Sequence, residues 1–122
     1  MLAADKVRSA LEALSPTQEK VDLAVKTAVE IARPSRVFIF GSWARGEAAP
    51  SSDLDLAVLV PEERNSELGE LRRRISGQFE GIPMSIDLIL VSEGYFAQFR
   101  SSINSLYYKI ANQGKLVYEQ RH

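Results

Sequence analysis

The sequence predicts an α/β domain, built as a small mixed β-sheet with helices packed on one face. Three runs rich in aliphatic and β-branched residues, at 36–40, 53–60 and 84–90, have the length of strands. Segments with apolar residues at helical spacing lie before, between and after these runs. Neither a Gly-x-Gly-x-x-Gly nor a P-loop sequence is present, so a doubly wound dinucleotide-binding sheet is not indicated.

Two helices are expected before the first strand. Apolar residues at helical spacing between Val7 and Leu14 predict the first of them. The Ser-Pro-Thr-Gln segment at 15–18 is typical of a capping box with proline at the first helical position. The apolar stripe that follows it ends at Pro34, where the second helix must stop.

The first strand is followed by a turn suited to an anion. Gly41 ends the strand at 36–40 and permits a tight turn. Ser42 is expected to be the N-cap of a short helix over 43–46, with its hydroxyl and unpaired backbone N–H groups open to a ligand. Phosphate is an anion that such a turn would accept.

The second strand has two carboxylates on one face. Asp53 and Asp55 alternate with residues 54, 56, 58 and 60, which are all apolar and predict a buried opposite face. The two aspartate Cα atoms would lie about 6–7 Å apart along the strand. Ionised carboxylates this close repel each other, and a divalent cation between them removes the repulsion.

The third strand has a single acid, Asp87, among aliphatic residues. If this strand lies beside the second, Asp87 completes a three-acid cluster with Asp53 and Asp55. Carboxylate ligands suit magnesium or manganese rather than zinc, and the chain has no cysteine and one histidine, His122. A phosphate turn at the end of the first strand can face acids at the start of the second only if the two strands are antiparallel.

The remaining elements are three helices and an edge strand. We expect a helix over 66–79, a short helix capped by Ser92, a last helix over 103–113, and a strand at 116–118. The arginine run at 72–74 falls on the polar side of its helix and is interpreted as a solvated face.

The motif residues resemble those of the polymerase-β-like nucleotidyltransferase superfamily. They are Gly41-Ser42, then Asp53-Leu54-Asp55, and a later strand with Asp87. The fuller Gly-Ser-Trp-Ala-Arg-Gly and Ser-Asp-Leu-Asp-Leu segments look like its minimal nucleotidyltransferase (MNT) domain, over roughly residues 20–118. Alternating acids on a strand can also be solvent-facing residues, but their spacing from Gly41-Ser42 favours the site.

The resemblance implies a role for each matching residue. Asp53 and Asp55 would hold two Mg²⁺ ions, with Mn²⁺ as a possible substitute. Asp87 would bind one of these ions and help to deprotonate the attacking hydroxyl.

On the donor side, Gly41 and Ser42 would bind the β- and γ-phosphates of ATP. Arg45 would lie beside the phosphates or would instead pair with Glu47, and both interpretations stay open at this point.

The resemblance also implies an acceptor. Free-standing MNT domains are commonly antitoxins that transfer AMP from ATP to a tyrosine of a cognate HEPN-domain ribonuclease toxin. One alternative is a non-catalytic antitoxin that masks the toxin by contact. Another is a small-molecule nucleotidyltransferase similar to enzymes that modify aminoglycosides. Because larger superfamily members have further domains, a partner chain or a second copy in a homo-oligomer is expected to complete the site.

Composition agrees with this interpretation without proving it. The 122 residues suffice for one domain over 1–122, with the motif core at about 36–91. A formal charge of −1 gives no basic footprint for direct nucleic-acid binding. No segment approaches the ~20 apolar residues of a membrane span, so no membrane association is expected. Nucleoside triphosphates and free magnesium are intracellular, so a cytoplasmic location is expected.

Overall fold

A computed structural model describes residues 13–49 and 52–121. In chain order its elements are α1 (Gln18–Ala32), β1 (Arg36–Phe40), α2 (Gly41–Ala44), β2 (Leu54–Val60), a 3-10 helix (Glu62–Glu67), α3 (Leu68–Phe79), β3 (Ile86–Ser92), α4 (Glu93–Phe99), α5 (Leu106–Gln113) and β4 (Lys115–Glu119). The helix predicted from Val7 to Leu14 lies outside the described residues except for positions 13 and 14, which are helical. Among the helices of these ranges, none is both long enough and apolar enough to cross a bilayer.

The four strands form one mixed sheet in the order β3-β2-β1-β4. Strand β1 is antiparallel to both β2 and β4, whereas β2 and β3 are parallel. The α/β class and the antiparallel pairing of the first two strands are therefore confirmed. The sheet brings the end of β1 and the starts of β2 and β3 to the same end of the molecule, because Phe40 pairs with Asp55 and Asp55 pairs with Asp87.

The main core lies between one face of the sheet and the two longest helices, α1 and α3. Its helical side consists of Val21, Ala24, Ala28 and Ala32 from α1, and Leu71, Ile75 and Phe79 from α3. The small alanines let α1 approach the sheet closely. The predicted apolar face of β2, residues 54, 56, 58 and 60, is fully buried beneath these helices.

A second, smaller core covers part of the opposite face. Phe96 of α4 and Ile110 of α5 pack there against Phe38, Ala57 and Leu59. The long helices thus lie on the predicted face. The two short helices were predicted as elements, but their position is not as predicted, because helices were expected on one face only and these two cover the other. Asp55 belongs to the same face as Ala57 and Leu59, but it lies at the end of the sheet and is only partly buried.

Three predicted boundaries differ from the structure. Helix α1 begins at Gln18 with Thr17 as its cap, because the Thr17 hydroxyl accepts a hydrogen bond from the Lys20 N–H at 3.2 Å. The helix predicted at 66–79 is α-helical only from residue 68 and follows a 3-10 helix. Strand β3 spans 86–92 rather than 84–90, and its residues Leu88 and Leu90 lie in the main core, on the face that the alternation predicts.

The last helix also starts later than predicted. Ser105 caps α5, and its hydroxyl accepts a hydrogen bond from the Tyr108 N–H at 3.1 Å. Ile103 therefore lies outside the helix and is 73% exposed. The predicted Ser92 cap of α4, the Gly114 end of α5 and the edge strand at 116–118 are confirmed.

An ion pair joins the start of α4 to the start of β1. The Arg36 guanidinium donates to both carboxylate oxygens of Glu93, at 2.6 and 3.0 Å, and the Ser35 hydroxyl donates to the same carboxylate at 2.8 Å. Arg36 also lies over the rings of Phe38 and Phe96, 5.3 Å from each centroid. This network attaches the second core to the sheet.

Burial by itself would raise the pKa of Glu93. The hydrogen bonds from Arg36 and Ser35, together with the positive charge of Arg36, outweigh the burial and hold this pKa below its usual 4.5. An acid whose pKa is lowered by folding stabilises the fold above its unfolded-state pKa, and the stabilisation disappears as pH falls through the folded-state pKa.

We therefore expect Glu93→Gln to destabilise the protein by about 1–2 kcal/mol at pH 7, because it removes a charged, partly buried hydrogen-bond acceptor. The difference from the unmutated protein should shrink as pH falls below 4.5. Urea unfolding at pH 7 and at pH 3 measures both values. The matched control is Glu67→Gln. The Glu67 side chain is 51% exposed, against 28% for Glu93, and lies 3.2 Å from Arg64, so this change should cost below about 0.5 kcal/mol. Equal losses for the two variants would contradict this role of Glu93.

Candidate active site

The site begins at the turn between β1 and α2. Phe40 is the extended residue at the N-cap position, and no side chain caps the helix. The prediction that Ser42 is the N-cap is therefore wrong. Gly41 enters the helix directly from the strand, which places Ser42 within the first turn, and the Ser42 carbonyl accepts a hydrogen bond from the Glu47 N–H at 2.9 Å. Trp43 packs against the main core and fixes the helix to it.

Gly41 lies directly against the carboxylate of Asp55. A methyl group on Gly41 would overlap the Asp55 carboxylate and would come within 3.1 Å of its Cγ atom. Gly41 also has a φ of 72°, in the left-handed region that strains other residues. Glycine is thus required here for two separate reasons, and one of them is the close approach of Asp55 to the turn.

Two of the three predicted acids are brought together by strand pairing. Asp55 and Asp87 are direct partners in the parallel β2–β3 ladder, so their side chains share a face on strands about 4.8 Å apart. Asp53 is exposed and lies just before β2, which starts at Leu54. Asp87 is also exposed, and Asp55 is partly buried between them and the turn.

The charges at this end of the sheet influence one another. Burial raises the pKa of Asp55, and the negative charges of Asp87 and then Asp53 raise it further, while the positive charge of Arg45 lowers it. The three acids and one arginine therefore form one electrostatic group around Asp55.

Arg45 pairs with Glu47, which was one of its two predicted roles. Its Nε donates to Glu47 Oε2 at 3.0 Å, and both side chains are largely exposed. An exposed pair of this kind is weak, so it does not fix the guanidinium in place. Contact between Arg45 and a phosphate stays a prediction.

The acids supply oxygen ligands suited to a divalent cation, but their carboxylates do not already converge on one point. Within residues 13–49 and 52–121, no group of three or more histidine, cysteine, aspartate or glutamate side chains already converges as a metal-binding cluster. The strand register nevertheless holds Asp55 and Asp87 side by side, so rotations of exposed side chains can bring their oxygens together. An all-carboxylate set fits magnesium or manganese.

A cleft beside β3 was missed by the sequence analysis. This β3-edge cleft has a volume of about 430 Å³ and is lined by Asn65, Leu68, Arg72, Ile89, Leu90, Val91, Ser92, Tyr95 and Tyr107. Arg72, which the sequence placed on a solvated face, donates from Nη1 to the Leu88 carbonyl at 3.1 Å. No local sequence pattern predicts the cleft. Its residues come from three separate segments of the chain, which lie together only because β3 is the edge strand of the sheet.

Comparison with protein families decides the assignment. The family described as polymerase beta, nucleotidyltransferase, matches residues 19–122, which is most of the chain. The chain belongs to this nucleotidyltransferase family. The predicted superfamily is thereby confirmed, and the mixed four-stranded sheet agrees with its fold. A search of curated proteins finds no match.

Two solved structures are similar to this nucleotidyltransferase-family chain. One is described as the crystal structure of a toxin-antitoxin with AMP-PNP; it is 22% identical, has a TM-score of 0.50, and the match covers 80% of this chain and 73% of the other. The second is a presumed nucleotidyltransferase from Sulfolobus solfataricus, 19% identical, with a TM-score of 0.49 over 86% of this chain and 91% of the other. At these identities the likeness concerns the fold alone.

The first prediction from the site concerns the cost of ionising Asp55. Because folding raises the pKa of Asp55 above 3.8, the ionised group destabilises the folded state, and the cost grows as pH rises through that value. We expect Asp55→Asn to raise the melting temperature of the ligand-free protein by a few degrees at pH 7 and by almost nothing at pH 3. Scanning calorimetry at both pH values measures this difference.

The control for this experiment is Asp22→Asn on the exposed side of α1, where Asp22 accepts a hydrogen bond from Gln18 that asparagine can also accept. It should leave the melting temperature unchanged at both pH values. An Asp55→Asn variant that is less stable than the unmutated protein at pH 7 would contradict the proposed charge crowding.

The second prediction separates the two reasons for glycine at position 41. Gly46 has the same φ of 72°, but a methyl group added there meets no atom within 4 Å. Both Gly41→Ala and Gly46→Ala should lose about 1 kcal/mol from backbone strain. Only Gly41→Ala should lose more than this and displace the Asp55 carboxylate, which carboxyl NMR of Asp55 detects. Indistinguishable stabilities of the two variants would show that the contact with Asp55 is not restrictive.

Proposed function

We propose that this protein is a magnesium-dependent adenylyltransferase that transfers AMP from ATP to a hydroxyl group of a partner protein. The acceptor we propose is a tyrosine of a cognate HEPN-domain ribonuclease toxin, so that the protein acts as its antitoxin. One observation supports this proposal above the others: strand pairing sets Asp55 beside Asp87, immediately next to the turn at Gly41.

The donor nucleotide would lie with its triphosphate at the turn. The Ser42 hydroxyl and the backbone N–H groups at the start of α2 have the chemistry to bind the β- and γ-phosphates, since the first N–H groups of a helix have no partner within it. The weakness of the Arg45–Glu47 pair supports an additional role for Arg45, because the guanidinium can leave Glu47 for a phosphate oxygen.

The acids would hold two Mg²⁺ ions, which when bound neutralise phosphate charge and favour loss of the hydroxyl proton. Asp53 and Asp55 would bind both ions, and Asp87 would bind one. In the reaction the acceptor oxygen forms a bond to the α-phosphorus as the bond to pyrophosphate breaks on the opposite side. The acceptor proton leaves toward Asp87. Orientation and charge neutralisation account for most of the rate gain in such a transfer.

The choice of donor and partner rests on the family and on one structure with the same fold. That structure is described as a toxin-antitoxin with AMP-PNP, an ATP analogue. It supports ATP as the donor and a toxin as the partner of this chain, as parts of the proposal. The near-neutral charge of the chain also fits a protein acceptor better than a polynucleotide.

The test combines this protein with the partner protein encoded beside its gene, ATP labelled at the α-phosphate, and MgCl₂. We expect the label on the partner, and intact mass spectrometry should detect added AMP units. Asp53→Asn, Asp55→Asn and Asp87→Asn should each reduce the initial rate by at least about 100-fold, because each removes a charge that acts in the transition state. Asp22→Asn is the matched control and should keep full activity.

The same samples distinguish the alternatives. If Asp53→Asn still neutralises the toxicity of the partner while no AMP is transferred by any form, the protein is an antitoxin that acts by contact. If AMP appears on kanamycin and not on the partner, the protein is a small-molecule nucleotidyltransferase. Either result would refute transfer to a protein hydroxyl.

A further inference from the structure

The β3-edge cleft begins two residues beyond Asp87 on the same strand. Asp87, Ile89 and Val91 occupy alternate positions of β3 and share a face, and the latter two line the cleft. Successive residues on one face of a strand are about 6–7 Å apart, so the cleft begins within that distance of the Asp87 backbone. Arg72 lies at this junction, because its guanidinium binds the carbonyl of Leu88.

The order of the strands indicates the side from which the acceptor would approach the proposed site. The phosphate turn follows β1, Asp55 is on the central strand β2, and Asp87 is on the edge strand β3. In an in-line displacement the attacking oxygen and the leaving pyrophosphate are on opposite sides of the phosphorus. With the pyrophosphate at the β1 turn, the acceptor must approach from the β3 side, where the cleft lies.

The cleft has the polar groups that an extended peptide needs. Since the Leu88 carbonyl faces Arg72 and not β2, the N–H and C=O groups of Leu90 point to the same outer edge. A strand at the edge of a sheet can accept the backbone of another chain, and β3 is such a strand. Tyr95 and Tyr107, whose ring centroids are 5.4 Å apart, form an aromatic wall for an apolar side chain.

The positive charge of Arg72 makes the cleft favourable for a negatively charged segment. The bond to Leu88 is its only hydrogen bond within the described ranges 13–49 and 52–121, and it has no ion pair there. A guanidinium has five N–H donors and binds carboxylates through two of them at once. Most of these donors are therefore available to an acidic side chain of a bound segment.

We propose that the β3-edge cleft binds an extended, acidic segment of the acceptor polypeptide and so brings the acceptor hydroxyl to Asp87. This inference rests on the proposed function for its direction of attack and goes beyond it by locating the acceptor. Arg72 is then a residue that determines acceptor specificity and takes no part in the chemical step.

The test measures AMP transfer from ATP to the partner protein encoded beside the gene, at varied concentrations of each substrate. Arg72→Glu should raise the KM for the partner protein by about tenfold or more, because it opposes the acidic segment. The KM for ATP and the maximal rate should stay within about twofold of their original values, since in the described part of the chain the Arg72 side chain bonds only to the Leu88 carbonyl and is not among the charges that shift the pKa of Asp55. Tyr95→Ala, at an exposed position of the cleft wall, should also raise only the KM for the partner.

Arg74→Glu is the matched control. It makes the same charge change on the same helix, two residues away, and Arg74 does not line the cleft. It should leave both KM values within about twofold. An equal rise in partner KM for Arg72→Glu and Arg74→Glu, or no rise for Arg72→Glu, would overturn the proposed docking.

A binding measurement separates this inference from the proposed function. Calorimetric titration of the partner protein without nucleotide should give an about tenfold weaker Kd for Arg72→Glu and an unchanged Kd for Arg74→Glu. If that pattern holds but no variant transfers AMP, the docking stands and the proposed activity falls. Absence of binding would overturn the docking. A higher rate of AMP transfer to kanamycin, a cation, by Arg72→Glu than by the unmutated protein would also overturn it.

Discussion

The crowding of negative charge around Asp55 is the constraint on which the rest of this structure depends. The turn at Gly41 covers this carboxylate, and Asp87 adjoins it through strand pairing, so that both burial and repulsion oppose its ionisation. The ionised form of this carboxylate is therefore unfavourable in the folded protein. The site persists because its acids are attached to strands whose positions are determined elsewhere in the molecule.

That support comes from the strand that bears Asp55. Strand β2 is central in the sheet, and its residues from 56 to 60 are buried on both faces, by the main core and by the second core. Displacing Asp55 from Asp87 would require a register shift along β2, which would expose this entire apolar set. The ion pair of Arg36 with Glu93 holds the second core against the sheet at its other end. The packing and the ion pair that stabilise the fold thus lie away from the acids.

Much of the fold and of the site could be predicted because their signals are local. Strand faces follow from alternation. The sequence analysis placed Asp87 beside the earlier acids on the condition that β3 lies next to β2, and the structure meets this condition. Caps were less predictable, because the helix begins directly at Gly41 after the extended Phe40, and Ser42 therefore lies inside its first turn. The β3-edge cleft could not be predicted at all, since its residues come from three separated segments.

The second core covers only part of the acidic face, which leaves room for the two substrates of the proposed reaction. Phe96 and Ile110 bury the half of this face remote from the acids, which leaves the acidic end open above the sheet and at the β3 edge. In the proposed transfer, a triphosphate held at the turn would occupy the β1 side. Because an in-line transfer needs its two substrates on opposite sides of the reacting phosphorus, the sheet order would then place the donor at β1 and the acceptor at β3. The same geometry would make the edge strand the surface at which a partner is recognised.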